Sequence, residues 1–250
     1  MLQRLGLFLR SSIGRKFLMS LTGAALMVFV LGHLLGNLTL FADSSGATFD
    51  AYAHALESNP ALPLIEIGLA ALFVVHIALG IRLALDNRDA RPARYKDLEA
   101  HGDRSLASLT MPVTGVLVLI FLVVHLVDFR FAERDPDGLA AMVVTRLATP
   151  LSALVYAVGV IALGVHLWHA FQSAFQSLGL YQPRYRPLVR NVGRAFAVGI
   201  AAGFVAFPIA ISLSPGSLAQ GAEQGAEAQP TTHDTPTELP AAEAARGELR

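Results

Sequence analysis

Apolar residues fill this chain in five long blocks, at about 14–41, 61–86, 108–131, 148–178 and 190–213, and each block is apolar almost all round. A helix buried on one side in a water-soluble protein shows an apolar stripe and a polar face, so blocks of this kind point to a lipid environment instead. At 1.5 Å rise per residue, each is long enough to cross a hydrocarbon core of ~30 Å. The pattern predicts an all-α integral membrane fold, a five-transmembrane-helix bundle.

The polar interruptions carry recognisable punctuation. Asn59-Pro60 closes the first connection, which runs over 42–60, carries Phe49, Tyr52, His54 and Glu57, and has room for a short helix. The third span is expected to start near Pro112. Thr149-Pro150 reads as the N-cap and first-turn pair of the fourth span, and Gly179 as the residue just past its end. The connection 132–147 reads as a loop of mixed charge, and residues 1–13 as a basic amphipathic lead-in at the membrane surface. Residues 214–250, rich in Ala, Glu, Gln, Pro and Thr, cannot bury a core and are predicted to form a disordered external tail. The domain division is therefore 1–213 and 214–250.

Composition agrees with the pattern: 54% of residues are hydrophobic and 15% charged, with a mean hydropathy of +0.52. The chain has no cysteine, which excludes disulfides, cysteine-held iron–sulfur clusters and thioether-attached haem on this chain. The formal net charge of zero conceals an uneven distribution. Arg4, Arg10, Arg15 and Lys16 precede the first span without an acid; Arg82, Arg88, Arg91, Arg94, Lys96 and Arg104 cluster around the second connection; Arg184, Arg186, Arg190 and Arg194 surround the fourth. Asp43, Asp50 and Glu57 stand in a first connection without bases. The excess of bases predicts a cytoplasmic N-terminus, cytoplasmic 87–107 and 179–190 connections, and an external C-terminus.

Ionisable groups within spans are costly, so those present are the candidates for chemistry. His33, His76, His125 and His166 occur one per span on the first four. Counted from the outer end of each span at 1.5 Å per residue, His33 and His125 lie ~12 and ~9 Å deep, and His76 and His166 both ~24 Å deep. Two levels of two imidazoles on different helices suit two bis-histidine haems, with one nitrogen for each face of each iron. Four isolated histidines, each bonded to a backbone carbonyl, are the plainer alternative. Zinc or copper would need three or four ligands at one depth. His169 shares a face with His166, followed by Gln172, Ser173 and Gln176 toward the inner surface, and Trp168 reads as an interface anchor. Gly32 and Gly36 share one face of the first span, which suits close helix approach or a flat macrocycle.

Taken together, Gly14-Arg15-Lys16-Phe17-Leu18-Met19-Ser20-Leu21-Thr22-Gly23, Gly32-His33, His76, His125 and the run from His166 to Gly179 resemble the membrane anchor of succinate:quinone oxidoreductases. The likeness is to the single-chain, five-span, dihaem cytochrome b anchor of these enzymes, a type shared with dihaem fumarate reductases, and it covers about residues 1–213. It implies two haem b groups: a proximal one held by His76 and His166, and a distal one held by His33 and His125. It also implies candidate propionate contacts at Ser20, Arg15, Lys16 and His169. The implied partners are a flavoprotein subunit with FAD and an iron–sulfur subunit with its clusters, in a complex open to higher oligomerisation, with no nucleic acid. The implied setting is the bacterial inner membrane and its lipid. This chain would lack the dicarboxylate site and pass electrons to a quinone, menaquinone being common in such members.

Some relatives carry a glutamate on span four two residues before the haem ligand; here Gly164 stands there, so the resemblance does not carry that proton route over to this chain. Quinone chemistry needs proton donors or acceptors, for which Tyr52, His54, Glu57 and Glu66 near the outer level are the candidates. Two other readings remain at this stage. One is a dihaem quinone-reactive subunit of a nitrate reductase or formate dehydrogenase-like complex, which concentrates its histidines on fewer helices. The other is a haem-free transporter or structural anchor; a transporter predicts internal repeats, and none is expected from the sequence.

Overall fold

The computed structural model describes residues 11–89 and 106–213. The lead-in over 1–10, most of the charged 87–107 connection and the whole tail 214–250 lie outside the described residues. All regular structure among the described residues is helical. Five helices are long and apolar enough to cross a membrane: α1 (Ser12–Asn37, continued by a 3-10 turn, Leu38–Phe41), α3 (Leu62–Asp89), α4 (Leu106–Phe129), α6 (Pro150–Ser177) and α7 (Arg186–Leu213). Two short helices, α2 (Ala47–Glu57) and α5 (Leu139–Ala148), lie in the connections after α1 and α4.

The helix ends follow local chemistry. Ser11 caps α1, its side chain accepting from the Gly14 amide at 3.0 Å. Pro150 occupies the first turn of α6, where its missing N–H costs nothing. Gly179 ends α6 with φ of 75°, and the Leu180 amide reaches back to the Phe175 carbonyl at 2.9 Å. The spans exceed the expected bounds by a few residues: α3 continues to Asp89 and α7 begins at Arg186. The third span begins at Thr110, close to Pro112 as expected, although α4 itself starts a turn earlier and holds Pro112 inside it.

The connection expected to be a plain loop over 132–147 is corrected by α5. Ala140, Ala141, Met142, Val143, Val144 and Leu147 of that helix are all buried. Its apolar run is too short for a span and is flanked by Arg134, Asp135, Asp137 and Arg146, which hides it in a hydropathy profile. Asp50 on α2 accepts from the Ala140 amide at 2.8 Å, so one short helix caps the other. Asp43 in turn accepts from the Ser45, Ala47 and Thr48 amides and fastens the first turn of α2.

The spans pair as α1 with α3 and α4 with α6; α1 also packs on α6, and α7 lies along α6 in the most extensive contact of the bundle. Lipid supplies no hydrophobic drive between spans, so small residues set the approach. A Cβ added at Gly164 would stand 2.8 Å from Ala201 Cβ, and one at Gly203 2.8 Å from Leu34 Cδ2. Buried hydroxyls within the spans satisfy themselves locally. Ser20 donates to the Lys16 carbonyl at 2.9 Å, Thr22 to Leu18 at 2.9 Å and Thr114 to Thr110 at 3.0 Å.

Candidate functional site

The histidines of the first four spans are all half-buried, and they fall into two cross-helix pairs, one in ring contact and one within electrostatic range. His33 on α1 and His125 on α4 face each other with ring centroids 5.7 Å apart and planes 83° apart. His76 on α3 and His166 on α6 lie close enough to interact electrostatically.

The two pairs are held differently. Around His33 and His125 stands an aromatic box: Phe29 stacks on His33 at 5.5 Å, Phe204 lies 5.8 Å from it, and Phe121, Phe129 and Tyr156 lie 5.4–6.2 Å from His125. Five aromatic rings thus crowd the pair. Asn37 adds a side-chain amide 3.4 Å from His33 Nδ1.

The second pair is clamped by hydroxyls. Thr22 Oγ1 stands 3.1 Å from His76 Nδ1, and Thr114 Oγ1 stands 3.3 Å from His166 Nδ1. The residue after each threonine is glycine. A Cβ at Gly23 would lie 3.3 Å from His76 Cε1, and one at Gly115 would lie 3.6 Å from His166 Cε1. Each imidazole thus sits with its Nδ1–Cε1 edge on a Thr-Gly step of the neighbouring helix.

The two steps belong to a short motif that occurs on both helices. Thr22-Gly23, Phe29 and His33 recur at the same spacing as Thr114-Gly115, Phe121 and His125, a Thr-Gly-x5-Phe-x3-His signature on α1 and again on α4. Each signature helix pairs with the helix whose histidine its Thr-Gly step holds, α1 with α3 (His76) and α4 with α6 (His166). The signature was open to inspection in the sequence, but four shared positions in twelve are too few to notice before the structure shows what they hold.

The donor set fits haem better than a bare metal ion. No group of three or more His, Cys, Asp or Glu side chains able to hold a metal occurs among the described residues. Two imidazoles per site satisfy an iron whose other ligands come from a macrocycle. His33 and His125, with ring centroids 5.7 Å apart, would be the residues to hold such an iron at this level, where haem would supply a one-electron carrier.

The remaining candidates are scattered. Arg15, near the start of α1, pairs with Asp86 at 3.0 Å, Asp86 also lies 3.5 Å from Arg82, and the buried Arg15 Nε has no hydrogen-bond partner among the described residues. Lys16 is exposed. His169 is half-buried and lines a shallow groove between α6 and α7 with Trp168 and Ala197. Trp168 lies under the Arg194 guanidinium at 5.1 Å. Gly164 is buried against α7, so the position serves helix packing and has no room for a longer side chain.

Of the quinone candidates, Tyr52 reaches the last turn of α1, where its hydroxyl would touch a Cβ at Gly36. Gly36 thus serves a tyrosine, while a Cβ at Gly32 would meet nothing. His54 is exposed on α2. Glu57 is paired with Arg134, and Glu66 takes a two-pronged grip from Arg130 at 2.8 and 2.9 Å. The Asp128–Tyr156 hydrogen bond of 3.0 Å, with Arg146 3.5 Å from Asp128, was not anticipated, nor were Thr22 and Thr114.

Residues 16–88 match the family described as succinate dehydrogenase/fumarate reductase transmembrane subunit. That stretch holds most of α1 and nearly all of α3, hence His33, His76 and the first Thr-Gly step. The match supports kinship with the membrane subunits of these enzymes, and with the five spans it marks a multi-pass membrane protein. No curated protein and no solved structure matches the chain.

Proposed function

We propose that the chain is the membrane-anchor cytochrome b subunit of a succinate:quinone oxidoreductase and holds two b haems. His76 and His166 hold the proximal group, and His33 and His125 the distal one. The observation that carries this reading is the grouping of four intramembrane histidines into two cross-helix pairs, within a chain whose residues 16–88 match the transmembrane-subunit family. Bound in these sites, haem supplies a one-electron carrier between an iron–sulfur partner and a membrane quinone.

The chain's own residues bind, orient and keep dry. The aromatic box around His33 and His125 keeps water from the distal site. The unpartnered Nε of Arg15 offers a hydrogen bond to a propionate at the inner rim, where Lys16, Ser20 and His169 also belong. That rim, cytoplasmic by the distribution of bases, receives the iron–sulfur subunit and, through it, the flavoprotein. The quinone, in this reading menaquinone, is reached at the opposite end, where Tyr52, His54, Glu57 and Glu66 can exchange protons with it. Residues 1–213 form the anchor and 214–250 an external tail, in a bacterial inner membrane.

The test is pyridine haemochrome quantitation with a reduced-minus-oxidised spectrum of the purified complex. Two b haems per chain is the expected result. An intact complex without haem overturns the reading in favour of a structural anchor.

A further inference from the structure

We infer that Thr22 and Thr114 are positioning residues that fix His76 and His166 in one tautomer, with the proton on Nδ1 and the lone pair of Nε2 free for a metal. The inference deepens the cytochrome reading and rests on it for the identity of the metal, but the tautomer stands on the hydrogen bonds alone.

A threonine hydroxyl has one proton to give and two lone pairs to receive. Thr22 Oγ1 lies 2.9 Å from the Leu18 carbonyl and 3.0 Å from that of Met19, both closer than His76 Nδ1 at 3.1 Å. The order repeats at Thr114, with the Thr110 and Met111 carbonyls at 3.0 and 3.1 Å and His166 Nδ1 at 3.3 Å. In both places the hydroxyl proton goes to the helix backbone. The oxygen then faces Nδ1 as an acceptor, and Nδ1 must carry the hydrogen.

The glycines complete the clamp. At Gly23 a Cβ would crowd the His76 ring at 3.3 Å, while at Gly115 it would come into ordinary contact with His166 at 3.6 Å, so both rings lie directly against the helix. Both threonines are buried, so water does not compete for the bond. Two helices of different sequence repeat the arrangement atom for atom, which coincidence of packing does not explain. Among the described residues His33 and His125 have no such threonine; the Asn37 amide lies beside the His33 ring, and aromatic rings surround the pair. The two sites therefore differ in how strongly the protein polarises their ligands.

That difference has a sign. An imidazole donating from Nδ1 is the more basic ligand through Nε2, and a more basic ligand favours the oxidised metal. Thr22→Val and Thr114→Val keep the shape and remove the acceptor. Redox titration of the two b components in the complex should show one component displaced to higher potential, the same one in both variants, with the other unmoved. Thr22→Ser and Thr114→Ser should restore the original value. Nitrogen-15 spectra of the full chain with labelled histidine should show His76 and His166 protonated at Nδ1, whether or not haem is bound.

Val variants that bind haem with both potentials unmoved overturn the inference, as does a spectrum with the proton on Nε2 in the haem-free chain. A wild-type complex lacking haem overturns the cytochrome reading, and the nitrogen-15 spectrum then still decides the tautomer.

Discussion

The phenolic hydroxyl of Tyr156 donates to Asp128 Oδ2 at 3.0 Å while its ring meets His125 edge-on at 6.2 Å. One side chain thus ties a carboxylate at the end of α4 to the wall of the histidine pair. Tyr156→Phe keeps the ring and removes the bond. Hydrogen bonds between membrane helices average ~0.6 and reach ~1.7 kcal/mol, and a charged acceptor favours the upper part of that range, so a loss of about 1–1.5 kcal/mol is expected. Reversible unfolding in detergent measures it. Arg146→Ala should cost less, because its approach to Asp128 is longer, 3.5 Å, and its side chain is more exposed.

The four histidines should fall into two classes by substitution. His76→Ala and His166→Ala should each remove the same b component and spare the other, and His33→Ala and His125→Ala should do the reverse. Low-temperature difference spectra resolve the two components. A loss that groups His33 with His76 refutes the pairing.

Glycines of the spans should divide by what surrounds them. A Cβ at Gly159 would stand 2.2 Å from Phe121 Cδ2, whereas one at Gly199 or Gly68 would meet nothing within 4 Å. Gly159→Ala should therefore cost about 1–3 kcal/mol by overpacking. Gly199→Ala and Gly68→Ala should be neutral or stabilising by up to about 1 kcal/mol, since glycine weakens a helix interior. Melting temperatures of the three single variants in one detergent give the comparison.

Asp43 predicts a pH effect confined to one connection. Hydrogen bonds from Thr48, and next from Ser45, hold its carboxyl well below the usual carboxylate range. A carboxyl depressed in the folded state contributes stability that is present above its unfolded value of ~3.9 and is lost as pH falls through the folded one. Asp43→Asn should speed hydrogen exchange at the amides of Ala47 and Thr48 at neutral pH. The gap between variant and parent should narrow as pH drops below about 4. A gap that persists unchanged in strong acid contradicts the assignment.

The spans were legible because their signal is an average over many residues: α3 and α4 could be placed from hydropathy without knowing one contact. The ends were less so, because Asp89 and Arg186 continue a helix by backbone geometry after the apolar run has stopped. α5 escaped notice for the opposite reason, a short apolar run buried against helices far away in sequence and capped by Asp50. Within the site, histidines stand out in a span because their cost there is high. Thr22 and Thr114 do not, since a threonine that bonds its own backbone costs little in lipid. Their chemical meaning lies in a partner 54 and 52 residues away, which only the fold supplies. The aromatic box was invisible for the same reason, as phenylalanine is unremarked in any apolar segment.

The recurrence of Thr-Gly-x5-Phe-x3-His on α1 and α4 makes the polypeptide its own calibrant. A substitution at Thr22, Gly23 or Phe29 has a twin at Thr114, Gly115 or Phe121, in the same bilayer and the same preparation. Differences between twins report the surroundings of each site, and likenesses report the chemistry that both were built to share.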